Sequence, residues 1–186
     1  MEKYIELLKK WQKAVNLVSN KTLPDLWKRH ILDSAQLYPF LVGENITLVD
    51  MGSGAGFPAL VLAILNKVNN GPVKEMFLIE SDTKKSLFLK EVIRELKLNV
   101  HVLNKRIENV LDIKADILTS RALSDLSDLL SLGKNFIHTQ TTCLFLKGEN
   151  YEKEIKNCFI PCQIEKIKSI TNSKGVILKI TEVVYD

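Results

Sequence analysis

The sequence is short of arginine, of paired cysteines and of long apolar runs, and each shortage excludes something. Only Arg29, Arg94, Arg106 and Arg121 stand among 26 basic residues, so each arginine carries more weight than a lysine. The three cysteines, Cys143, Cys158 and Cys162, form no Cys-x-x-Cys pair. That argues against a zinc site or a disulfide scaffold, and we expect reduced thiols and no metal. No apolar run reaches the roughly 18 residues of a membrane span. The N-terminus is amphipathic and charged rather than signal-like. A cytoplasmic protein, a monomer with no membrane partner, is the expectation. No repeat or low-complexity linker divides the chain, and 186 residues suit one domain. A net charge of +4 permits a nucleic-acid partner without demanding one.

Two further absences narrow the glycine-dense stretch that begins as an apolar run at Ile46 and ends at Pro58. A P-loop needs a lysine after its last glycine, but Phe57 and Pro58 follow here. A dinucleotide loop needs Gly-x-Gly-x-x-Gly, yet Phe57 holds the third position and the glycine comes one residue early, at Gly56. Pro58 has no N–H, so the helix start offers a pyrophosphate one donor fewer. What remains is Asp-x-Gly-x-Gly-x-Gly, the pattern of S-adenosylmethionine-dependent methyltransferases. A cofactor without phosphates needs close backbone approach, which glycine permits, and its carboxylate can use the positive end of the following helix.

The rest of the chain reads as a helical arm (residues 1–42) followed by alternating strands and helices (43–186). Leu7, Leu8, Trp11, Ala14, Val15 and Val18 have helical spacing and predict one helix over 2–19. A second helix is expected from a Thr22 cap, with Pro24 in its first turn, through Trp27, Ile31 and Ala35 to about Pro39. Arg29 and Asp33 are four apart and expected to pair on its surface. Strands are expected at 46–51, 75–80, 100–103, 115–120 and 142–146. Helices are expected at 58–68, from Ser81 or Asp82 to 97, at 123–132 and at 151–156. The second of these carries an apolar face of Leu87, Phe88, Val92, Ile93 and Leu96. Gly175 separates two last β segments that can pair as a hairpin. Glu80, at the end of the second strand, is placed to accept hydrogen bonds from ribose hydroxyls. Lys84 and Lys85 sit in a helix's first turn, where cations are unfavourable unless an anion is near. Arg121 lies at a strand's carboxyl end, on the ligand side of a parallel sheet, with Asp125 as a structural partner in the bland reading.

This order of elements resembles a class I methyltransferase: a Rossmann-like α/β sheet of seven strands, the last antiparallel, flanked by helices. Separated motifs resemble more narrowly the ribosomal RNA small subunit methyltransferase G family. They are Trp11-x-Lys13-x-x-Asn16-Leu17, Arg29-His30-Ile31-Leu32-Asp33-Ser34, Asp50 to Pro58, Ser120-Arg121-Ala122 and Leu146-Lys147-Gly148. The resemblance implies methyl transfer from S-adenosylmethionine to N7 of one guanine, position 527, in the decoding region of 16S rRNA. The partner is then 16S rRNA or an assembling small subunit. It implies a cofactor site of Gly52, Gly54, Gly56, Phe57, Glu80, Ile107, Glu108 and Arg121. Arg121, Arg29, His30 and Lys147 would be the catalytic set and, with Lys84, an RNA-facing rim. Ala59 departs from the glycine common there in the family. The rivals are an NAD-dependent dehydrogenase, a methyltransferase for another RNA, a small molecule or a protein, and a non-catalytic RNA-binding module on the same fold.

Overall fold

The computed structural model describes residues 1–185. Its strands are β1 Ile46–Met51, β2 Val73–Ile79, β3 His101–Leu103, β4 Ile117–Arg121, β5 Thr142–Lys147, β6 Gln163–Lys168 and β7 Val176–Thr181. They form one sheet in the order β3-β2-β1-β4-β5-β7-β6. β1 to β5 are parallel, and β7 runs against both of its neighbours, β5 and β6. The order turns back between β1 and β4, where open α/β sheets leave a crevice at the strands' carboxyl ends.

Helices cover both faces, which is why β1 is apolar almost throughout. Its side chains alternate: Ile46 and Leu48 face one core layer, Val49 and Met51 the other. The helices are α1 Glu2–Gln12, α2 Asp33–Ala35, α3 Ala59–Asn69, α4 Thr83–Leu96, α5 Leu126–Gly133 and α6 Tyr151–Lys156. Asp82 caps α4 by accepting from Lys85 N at 2.9 Å, and Asp125 caps α5.

The arm departs from the expectation. α1 stops at Gln12 instead of running to 19. The Gln12 side chain folds over the next turn, accepting from the amides of Leu17 and Val18 at 3.0 Å and donating to the Val18 carbonyl at 2.8 Å. Those backbone groups no longer need a helix. Val15 and Val18 are still buried, whereas Ala14 is exposed. The second helix is a composite: a 3-10 turn at Asn20–Asp25, a π-helix at Trp27–Leu32, then α2. Its longer turn rotates side chains out of the α-helical register. Trp27 consequently points to solvent, and Arg29 faces Asp25 at 4.0 Å rather than Asp33. On α4, Leu89 and Ser86 replace Leu87 on the buried face. Ser86 Oγ donates to the Glu80 carbonyl at 3.0 Å, and that bond fixes the helix's rotation.

Phe88 joins the arm to the sheet layer. It is fully buried and lies against Tyr4 and Trp11, with ring centroids 6.4 and 5.9 Å away. Trp11 also donates to Glu91 at 3.0 Å. Replacing Phe88 with Ala should lower the unfolding free energy by about 3–5 kcal/mol, measured by urea titration. A loss under about 1 kcal/mol would show that the arm does not depend on this contact.

Candidate active site

The stretch after β1 turns at Gly52, Gly54 and Gly56, whose φ angles are +67°, +54° and +89°. Side chains are strained in this region, so glycine is needed for conformation. It is also needed for space. A Cβ at Gly52 would come within 2.8 Å of Leu123, and one at Gly56 within 2.7 Å of Leu60 Cγ. At Gly54 nothing would lie closer than 3.8 Å, so there the bare backbone opens onto the cleft it lines.

Two buried side chains hold this loop. Glu80, the first residue past β2, accepts from Gly54 N at 2.8 Å and from Asp82 N at 2.7 Å, one bond per carboxylate oxygen. Lone pairs remain on both oxygens for further donors. Tyr4, from the arm, donates to the Ala55 carbonyl at 2.5 Å and packs at a tilt against Phe57, ring centroids 5.4 Å apart. Beneath the loop, Asp50 is buried and accepts from Thr119 at 2.6 Å, and its Oδ2 has no hydrogen-bond partner among the described residues. Burial raises its pKa to about 6 against the hydrogen bonds that lower it.

The cleft holds about 460 Å³, within the roughly 300–1,000 Å³ range of small-molecule sites. Gly52, Gly54, Phe57, Glu80, Ile107, Glu108 and Arg121 all line it. Gly56 does not; it shapes the turn from behind, against Leu60 and Leu89. The wall also includes Lys85, in the first turn of α4, and Lys105 and Leu123, to which only position in the loops after β3 and β4 could have pointed. A donor-and-acceptor cleft with an apolar strip at Ile79 and Ile107 suits a flat ring carrying hydroxyls.

A sequence model of the rRNA small subunit methyltransferase G (GidB) family matches residues 1–179. The chain belongs to that family. It is 43% identical over 182 residues to the ribosomal RNA small subunit methyltransferase G of Paramagnetospirillum magneticum, covering 97% of this chain and 86% of that one. To the protein of the same name from Rhodospirillum centenum it is 42% identical over 182 residues, covering 97% and 82%. The crystal structure of a SAM-dependent methyltransferase from Aquifex aeolicus superposes with a TM-score of 0.63 over 87% of this chain and 94% of that one. At 17% identity, that likeness concerns the fold.

In this member of the family the Arg-His-Ile-Leu-Asp-Ser block is locked to Arg121. The guanidinium lies 3.6 Å from Asp33, donates to His30 Nδ1 at 2.8 Å and to the Arg29 carbonyl at 3.2 Å, and sits 4.9 Å over the Phe57 ring. Asp33, not Asp125, is thus its partner; Asp125 is occupied as a helix cap. Arg121 borders the cleft, yet most of its side chain is covered by the arm, so it is not a free rim cation.

His30 is buried and stacked on Phe57 at 4.9 Å. An arginine can only donate, so Nδ1 accepts and the proton sits on Nε2, which donates to Thr22 Oγ1 at 2.8 Å. Thr22 passes its own proton to the Ser19 carbonyl at 2.7 Å. Burial, then the Arg121 and Arg29 charges, lower the His30 pKa to about 4. Lys147 also departs from the rim: it is 7% exposed and held by Glu154. Arg29 and Lys84 are exposed, as expected, though Lys84 stands outside the cleft wall.

Removing the Tyr4 hydroxyl (Tyr4→Phe) leaves the buried Ala55 carbonyl unpaired, a cost of about 1–3 kcal/mol. We expect weaker binding of S-adenosylhomocysteine by calorimetry in a variant that still folds; unchanged affinity would separate the arm from the loop. His30 gives a pH signature. The unfolded imidazole takes up its proton near 6.5, the folded one only near 4. Between those values the unfolded state binds the extra proton, so this contribution is full above 6.5 and is lost as pH falls. Asp50 opposes it between about 6 and 3.8, since its folded form protonates first. His30→Gln should therefore lose less melting temperature than wild type on acidification from pH 7; parallel curves would exclude a neutral, buried His30.

Proposed function

We propose that the protein transfers a methyl group from S-adenosylmethionine to N7 of a single guanine, position 527, in the decoding region of 16S rRNA. One observation carries the cofactor assignment: a turn of three positive-φ glycines sits against a buried carboxylate, Glu80, at the sheet's reversal. The residues fit that cofactor. Glu80 retains acceptor capacity for ribose hydroxyls, Ile107 offers an apolar face to the adenine, and Gly54 leaves room for the chain beyond the ribose. The target assignment rests on family membership.

S-adenosylmethionine supplies an electrophilic methyl on a sulfonium, which guanine N7 can take directly with its in-plane lone pair. No proton leaves N7, so the site needs no general base. His30 accords with that, since both ring nitrogens are already engaged. The chain's work is positioning: the glycine turn would hold the cofactor, and the arm and Phe57 fix the turn. Alignment of this kind can supply roughly 7–11 kcal/mol. Exposed cations such as Arg29 and Lys84 would meet RNA phosphates.

N7-methylguanine should be present at that position in 16S rRNA from cells with the protein and absent in cells without it. Its persistence in the deletion, or labelled methyl entering a protein or small molecule instead, would overturn the target. Separately, S-adenosylhomocysteine should raise the melting temperature while NAD does not. Glu80→Ala should weaken that ligand roughly tenfold or more. Stabilisation by NAD alone would restore the dehydrogenase reading.

A further inference from the structure

A second cavity of about 280 Å³ adjoins the cleft and shares Arg121 and Ala122 with it. Ser124, Lys147, Glu154 and Asn172 line this cavity and not the cleft. They come from four places that the sheet brings to one end: the loop after β4, the end of β5, α6, and the turn between β6 and β7. Lys147 Nζ lies 2.6 Å from Glu154 Oε2 and 2.6 Å from the Ser124 carbonyl oxygen. An ammonium has three protons, and the Ser124 carbonyl takes one of them. Ser124 Oγ and Glu154 Oε2 are buried there without a hydrogen-bond partner among the described residues, so Lys147 and Glu154 meet as an ion pair rather than through an aligned hydrogen bond. This wall is unlike the solvated pair Lys174–Glu149, whose side chains are 72% and 62% exposed.

We infer that this cavity receives the base to be methylated and that Lys147 and Glu154 read it as guanine. The inference rests on the guanine N7 reading above and names the recognition that reading leaves open. On its pairing edge guanine presents O6, an acceptor, beside N1–H and N2–H2, both donors. A buried lysine proton next to a carboxylate is the complementary order. The spare Lys147 proton meets O6, and Glu154 accepts from N1–H and N2–H2. N7 lies on the other ring, free to face the cofactor side that Arg121 and Ala122 share. Adenine reverses the first two groups, setting its amino donor against the ammonium and its N1 lone pair against the carboxylate. The spare ammonium proton would then face a donor and the carboxylate a lone pair, the kind of mismatch that rejects a substrate strongly.

The test uses small-subunit particles assembled on rRNA carrying either guanine or inosine at the methylated position. Inosine keeps N7, O6 and N1–H and lacks only the N2 amine. Wild type should methylate guanine particles with kcat/KM roughly tenfold or more above inosine particles. In Glu154→Gln that ratio should fall toward one, with guanine activity reduced and S-adenosylhomocysteine affinity unchanged. A ratio kept in Glu154→Gln, or no preference in wild type, overturns the base-reading role while leaving N7 methylation intact. Absence of N7 product on guanine particles with wild type removes the underlying reading and this inference with it. Should Glu154→Gln melt early, Glu154→Asp keeps a carboxylate for Lys147 while shortening its reach, and the same loss of ratio is required of it.

Discussion

One guanidinium joins the two parts of this molecule. Arg121 ends β4, and the arm meets it with Asp33, the His30 ring and the Arg29 carbonyl, with the Phe57 ring beneath. A cation this enclosed is tolerable only when paired and hydrogen-bonded. The arm must therefore bring an acid, an imidazole lone pair and a carbonyl to one point. An unbroken α-helix places Arg29 and Asp33 on the same stripe. The π-turn separates them, sending Asp33 inward and Arg29 toward Asp25. Single π-turns inside helices commonly occur at functional sites, and here the reason is the geometry of one ion pair.

The glycine turn inherits its rigidity from the same arrangement. Phe57 is clamped between His30 and Tyr4, while Glu80 grips Gly54 from the opposite side. The turn's own bond, Gly56 N to the Ser53 carbonyl at 2.6 Å, closes it on one side, but three glycines have much backbone freedom to lose. Tyr4 and Asp33 supply that order from the N-terminal arm, a segment with no strand of its own. A site whose chemistry is mostly alignment depends on such supporting contacts.

Much of the architecture was legible in the chain. β1 and α6 fall at their expected bounds, and the β6–β7 hairpin forms around Gly175 as its position suggested. The fold follows from apolar runs alternating with helical stripes, and the loop's ligand class follows from what Phe57 and Pro58 exclude. Periodicity failed where a side chain bonded across a turn or to another element. Gln12 ended α1 early by bonding across a turn, and Leu87 lost its place on α4 because Ser86 bonds to Glu80. Lys147 was placed on the rim through its Leu-Lys-Gly motif; Glu154 on α6 removed it from water.

By itself, the sequence determined periodicity, turn chemistry and therefore the sheet, the glycine turn and the identity of Glu80 at its rim. Those depend on neighbours a few residues apart. Only the tertiary structure decided partners: Asp33 for Arg121 rather than for Arg29, Tyr4 for the Ala55 carbonyl, Glu154 for Lys147. Charges and hydroxyls bond to whatever burial brings within about 3 Å, and burial is settled by packing between elements far apart along the chain.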